Sequence, residues 1–129
     1  MRHLFALPVL CAALLGCATP APPVLGTFTL EPGQELVVAP DTTLHFDAVD
    51  DSRCPPNVHC IWAGRLSYRF SIRRAGVALD TVELSPAQRE AAPPALHGRR
   101  ILLDPAAIPA PPAPAMPTPH RATITLVPA

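Results

Sequence analysis

The side chains of this 129-residue chain that are best equipped for chemistry gather in one short stretch. From Asp50 to Gly64 it reads Asp-Asp-Ser-Arg-Cys-Pro-Pro-Asn-Val-His-Cys-Ile-Trp-Ala-Gly and holds a close cysteine pair and the only tryptophan. Cys54, His59 and Cys60, with His45 a few residues upstream, are ligand types that zinc prefers, but adjacent His59-Cys60 is poor spacing for a tetrahedral site. A thiol exchange centre more usually has two residues between its cysteines and a helix start, whereas five residues separate these. For nucleophilic catalysis, no serine lies in a Gly-x-Ser-x-Gly setting, and His97 and His120 sit beside arginine and proline without a recognisable partner. Pro55, Pro56 and Asn57 between the cysteines describe a tight loop that a disulfide could close. The stretch therefore reads as a structural knot, with no catalytic residue, metal or cofactor expected. Trp62 is expected to lie against the bridge, Gly64 to let the chain pass without a side chain in the way, and Arg53 to pair with Asp50 or Asp51 and to stack on the indole.

Short strands must position this knot. Phe28 and Leu30 alternate with Thr27, Thr29 and Glu31, the period-two pattern of a half-buried strand, and Pro32-Gly33 ends it in a turn. Leu36 and Val38 share one face of a second strand. Leu44, Phe46 and Ala48 are expected to face inward from a third, with His45 and Asp47 outward, and the three read as a meander. After the knot, Leu66, Tyr68, Phe70 and Ile72 alternate without error against polar residues. In Val77 to Leu84 the alternation changes phase between Leu79 and Val82, as a bulge or a buried edge would produce. Ser85 to Ala92 could form a turn of helix with Ser85 as cap and Pro86 at its first position, stopped by Pro93-Pro94. Ile101 and Leu103 mark a sixth strand, residues 105–119 form a proline- and alanine-rich surface excursion, and Ala122, Ile124 and Leu126 mark a seventh strand. Seven short strands without a covering helix predict an all-β fold: one small antiparallel β-sandwich or partly open barrel spanning residues 26–129, with a disulfide-closed loop.

Ten acidic residues balance ten basic ones, all of the latter arginine, and neither sign forms a long block. That balance gives no electrostatic case for nucleic acid or for an anionic membrane surface as a partner. At the N-terminus, Arg2 and His3 precede an apolar run from Leu4 to Leu15, the layout of a secretory signal and too short for a spanning helix.

The end of that run, Leu14-Leu15-Gly16-Cys17, resembles the lipobox of bacterial lipoproteins. The resemblance implies that residues 1–16 are a signal peptide cut before Cys17, and that Cys17 carries a diacylglyceryl group and an acylated amino group. Several buried acyl chains at roughly 0.8 kcal/mol per methylene would hold the protein on a bilayer. Residues 17–25 would then be a proline-rich tether. Ala18 in place of Asp resembles lipoproteins sent to the outer membrane, here on its periplasmic side. Export also favours a Cys54–Cys60 disulfide, because such bonds persist outside the cytosol. Asp51-Ser52-Arg53-Cys54-Pro55, followed by Cys60, Trp62 and Gly64, is similar to the signature of a group of small bacterial lipoproteins and secreted proteins of uncharacterised function. That resemblance implies a fold and an address and no activity.

The resulting expectation is a lipid-anchored envelope protein that serves as a binding or structural module and not as an enzyme. Its partner, an envelope protein or a small ligand, would meet the stiff loop near Asn57 and His59, since two prolines and a cross-link reduce the ordering cost of binding. The alternative is an inhibitor presenting the rigid Cys54–Cys60 loop to an enzyme.

Overall fold

The computed structural model describes residues 16–17, 24–114 and 120–129. The expected signal peptide up to residue 15, tether residues 18–23 and residues 115–119 of the excursion lie outside the described residues.

The alternating segments become eight strands: β1 (Gly26–Leu30), β2 (Glu35–Ala39), β3 (Thr42–Asp51), β4 (Leu66–Arg74), β5 (Val77–Leu84), β6 (Glu90–Ala91), β7 (Arg99–Leu103) and β8 (Ala122–Pro128). They form two four-stranded antiparallel sheets, ordered β1-β8-β7-β6 and β2-β3-β4-β5, that are not closed into a barrel. The fold is thus the sandwich of the two expected alternatives. The first three strands are not a meander. β2 to β5 form the meander, and β1 crosses to the other sheet to pair with β8, from Gly26 opposite Leu126 to Leu30 opposite Ala122.

Inward positions of both sheets build one core. Leu44, Phe46, Tyr68, Phe70, Ile72, Leu84, Ile101 and Ile124 have no exposed surface. Phe46 stacks on Phe70 with ring centroids 4.9 Å apart and lies 6.0 Å from Tyr68, so these three aromatic rings pack together in the core. On the outer face of β1 and β8, Thr27 meets Thr125 and Thr29 meets Thr123 with hydroxyl oxygens 2.9 Å apart, a ladder of cross-strand pairs.

Three segments depart from the alternation read in the sequence. In β3 the register shifts between Phe46 and Ala48, leaving Asp47 as an extra residue. Beyond it Ala48 lies opposite exposed Arg69, and it is Val49, opposite Tyr68, that packs on the core, so the inward placement of Ala48 is corrected. In β5 the expected phase change is a bulge at Leu79, between the pairs Ile72–Asp80 and Arg73–Ala78. The helical turn expected over Ser85–Ala92 does not form. Ser85 caps a single turn, its Oγ and its carbonyl both accepting from the Gln88 amide at 3.0 and 3.1 Å. The chain then enters β6 beside β7 and makes a 3-10 turn at Pro94–Leu96.

Arg99 ties the sandwich together at one end. It is 5% exposed, and its guanidinium donates to the carbonyls of Leu96 (2.8 Å), Val38 (2.6 Å) and Val24 (3.5 Å). One side chain of β7 thereby holds the last turn of backbone before β7, an inner residue of β2, and the segment leading into β1. At the same pole Arg74 reaches Asp41 (3.0 Å) and His97 (3.2 Å), and the Ala129 amide donates to the Gly98 carbonyl.

Candidate functional site

The knot is the connection between β3 and β4, the longest strand pair, and stands at the pole opposite Arg99. Its neck extends the ladder: the Ser52 amide donates to the Arg65 carbonyl (2.8 Å), the Arg65 amide to Ser52 Oγ (3.0 Å), and the Cys54 amide to the Ala63 carbonyl (3.2 Å). Gly64 makes this closure possible. Its φ is 68°, and a Cβ there would overlap the Ser52 carbonyl oxygen, so both its backbone conformation and its surroundings exclude a side chain. Above the neck, Cys54 and Cys60 are joined, with Cα atoms 5.9 Å apart, inside the usual range for a disulfide. The bridge occupies both thiols, and among the described residues no group of three metal-ligating side chains converges.

Below the neck lies an ion pair. The slip at Asp47 puts Asp51 on the inner face opposite Leu66, where its side chain is 4% exposed. Arg53 meets it with one edge of the guanidinium, Nε donating to Oδ1 and Nη2 to Oδ2, each at 2.9 Å, and its Nη1 donates to the Pro109 carbonyl at 2.9 Å. The Arg53 amide also donates to Asp51 Oδ1 (3.2 Å), and His120 Nε2 stands 3.6 Å from Oδ2. Pro109 within the excursion and His120 just after it are therefore both brought to one carboxylate–guanidinium pair. Hydrogen bonds from Arg53 hold the Asp51 carboxyl below the usual carboxylate range, and Asp51 in turn pushes the guanidinium up. Tyr68, two residues along β4 from Leu66, is fully buried nearby, and its hydroxyl has no hydrogen-bond partner. Burial pushes that phenol up, with Arg53 opposing the shift.

Arg53 thus takes Asp51 and not Asp50, which pairs with Arg65 at 3.7 Å. The larger correction concerns the indole. Trp62 does not lie against the bridge: it projects from the loop, 77% exposed, beside Ile61 at 98% and Val58 at 44%. Asn57 and His59, the expected contact residues, are exposed on the same loop, and Asn57 sits in a turn at φ 63°. An open depression of about 390 Å³ flanks the neck, lined by Arg53, Arg65, Leu66, Ser85 and Pro86 among others.

His45 belongs to a separate network on the outer face of the second sheet. Its Nδ1 is 2.6 Å from Asp47 Oδ1, which also accepts from Ser71 Oγ (2.9 Å) and Arg73 (2.9 Å). Serine, histidine and aspartate meet here, but hydroxyl and imidazole both address the carboxylate, so no base is placed against the hydroxyl. His97 contacts Arg74, and Cys17 is exposed and in no disulfide.

Sequence reasoning missed His120, Pro109 and Tyr68 as neighbours of the Asp51–Arg53 pair, and missed Arg99. Two of these carried a signal. His120 is two residues before inward Ala122, and Arg99 two before inward Ile101, so strand parity already placed both toward the interior. In comparison with known proteins, no family model, curated protein or solved structure matches the chain.

Proposed function

We propose that this chain is an envelope lipoprotein, anchored through acylated Cys17, whose β-sandwich is a binding module and not a catalyst, with the Cys54–Cys60 loop as its binding element. The observation that carries the reading is the exposure of Val58, Ile61 and Trp62 on one short, braced loop. A folded domain has no internal reason to hold three large apolar side chains in water, and here the disulfide, the Gly64 crossing and the Asp51–Arg53 pair all keep the loop in that form. Such preorganisation reduces what is lost on binding, and tryptophan is the side chain most enriched among residues that dominate binding energy. Asn57 and His59 would contribute polar contacts at the edge.

The inhibitor alternative draws less support. A loop that mimics a substrate presents extended backbone, whereas Pro56-Asn57 is a turn with Asn57 in the left-handed region.

The test has two arms. Metabolic labelling with a palmitate analogue, lost in Cys17→Ser together with membrane fractionation, checks the anchor. Immobilised wild-type protein and the variant Ile61→Ser/Trp62→Ala are then compared for capture of envelope lipids and proteins. The variant is expected to lose what the wild type captures, and equal capture by the two would remove the loop from the reading.

A further inference from the structure

The chemistry of the loop tip points to the kind of surface it meets. Ile61 and Trp62 are almost wholly in solvent, so the tip is a convex projection and not the wall of a groove. Between Val58 and Trp62 the only polar side chain is His59, and Asn57 borders the group. Among the described residues, both arginines of the neck have acidic partners. Arg53 is engaged by Asp51, and Arg65 is shared between Asp50 at 3.7 Å and Glu83 at 3.6 Å. A small convex apolar group with one indole and a charge-neutral rim matches the headgroup boundary of a bilayer, where an indole buries its rings and keeps its N–H hydrated, and it offers anionic lipid nothing extra.

We propose that Val58, Ile61 and Trp62 form a membrane-insertion peg for the interfacial layer of a zwitterionic phospholipid bilayer. This deepens the reading above and rests on its assignment of the loop as the binding element, but not on natural acylation of Cys17. The placement of the anchor point is compatible with it. Val24 is held at the Arg99 pole, and the ten residues of β3 set the two poles apart by about 30 Å. Seven residue steps from Cys17 to Val24 can span at most about 25 Å. Anchor and peg can therefore meet one bilayer only if the sandwich lies along its surface, not if it stands away on its tether.

Trp62 is the only tryptophan, so the peg carries its own reporter. The chain from Cys17 onward is coupled through that cysteine to a maleimide lipid in phosphatidylcholine vesicles, and a Cys17→Ser form is titrated with the same vesicles. The expected result for the coupled protein is a blue-shifted Trp62 emission that lipids brominated in their acyl chains quench. The variant Val58→Ser/Ile61→Ser keeps the reporter and changes only exposed side chains; in the uncoupled Cys17→Ser background it is expected to require at least about tenfold more lipid for the same shift. Unshifted, unquenched emission in the coupled protein overturns the proposal. A shift that appears only with anionic vesicles overturns it in favour of charge, and one that grows with protein concentration in the absence of lipid overturns it in favour of a second copy of the chain. A shift that needs added envelope protein assigns the peg to a protein pocket. In these last cases the loop remains the binding element, and only equal capture by loop variants removes that broader reading.

Discussion

Replacing Arg53 by alanine attacks the root of the loop while leaving its tip intact. Asp51 is 4% exposed, and the substitution removes both of its 2.9 Å guanidinium contacts and the donor to the Pro109 carbonyl. Breaking a buried pair by deleting one partner costs about 3–5 kcal/mol, because the remaining charge is left without compensation. Proton uptake sets a ceiling on that cost. A stranded carboxyl can protonate instead of staying charged, at about 1.36 kcal/mol for each pH unit above an unfolded value near 3.9, or about 4 kcal/mol at pH 7. The expected loss at neutral pH is therefore about 3–4 kcal/mol. Its pH dependence has a definite sign. In the native protein Arg53 holds the Asp51 carboxyl low, so the contribution of the pair is complete above the unfolded value and is lost as pH falls through the folded one. In the variant, burial without the arginine pushes the carboxyl up, so the penalty is absent below the unfolded value and grows as pH rises toward the shifted one. The gap between the two proteins narrows from both sides on acidification. Urea unfolding at about pH 7 and about pH 4.5, with unchanged denaturant slope, measures it. A difference below about 1 kcal/mol at neutral pH, or one that fails to shrink in acid, refutes the role given to the pair. Arg53→Lys keeps the charge without the two-point contact and is expected to fall between.

The other predictions concern the same region. Gly64→Ala combines a left-handed backbone with an overlap on Ser52 and should cost about 3 kcal/mol in thermal or urea unfolding, roughly 1 for the conformation and the rest for strained neck hydrogen bonds. Reducing the Cys54–Cys60 bridge, with its sequence separation of 6, should lower stability by about 2 kcal/mol yet leave the strand spectrum in circular dichroism, since the buried core lies elsewhere. Loss of the fold on reduction would contradict this. Tyr68→Phe removes a buried hydroxyl without a partner and is expected to be neutral or stabilising by up to about 1 kcal/mol. As the only tyrosine, Tyr68 should also show no phenolate absorbance at its ordinary titration near pH 10, because burial pushes it up; its contribution is present below that value and is lost as pH rises through the shifted one.

Where alternation was uninterrupted the sequence predicted the strands with little loss. Leu66 to Ile72 and Ala122 to Leu126 are inward residue for residue, because a period of two survives any choice of partner strand. Pairing is a different matter: nothing in Phe28 or Leu30 says that β1 joins β8 across the length of the chain instead of its neighbour β2. The bulge at Asp47 left no mark either, since Ala48 and Val49 are both acceptable inside. For the site, Asp51 and Arg53 are two residues apart and their pairing could be foreseen, whereas His120 and Pro109 arrive through the fold. Trp62 was misplaced for an instructive reason. Proximity to a disulfide suggested packing, but the neck turns the residues after Cys60 outward, and a general preference for burying indoles yields to the geometry Gly64 imposes.

The single supernumerary residue in β3 deserves to be followed to its end. Were Asp47 to take a regular place in the ladder opposite Arg69, every later residue of β3 would move one partner along, Asp50 would come opposite Leu66 and turn inward, and Asp51 would swing out to water with Arg53 behind it. The contacts at Pro109 and at His120 would go with them, although neither residue had been touched. A loop at one end of the molecule is in this sense aimed from the middle of a strand, seven residues before its first cysteine.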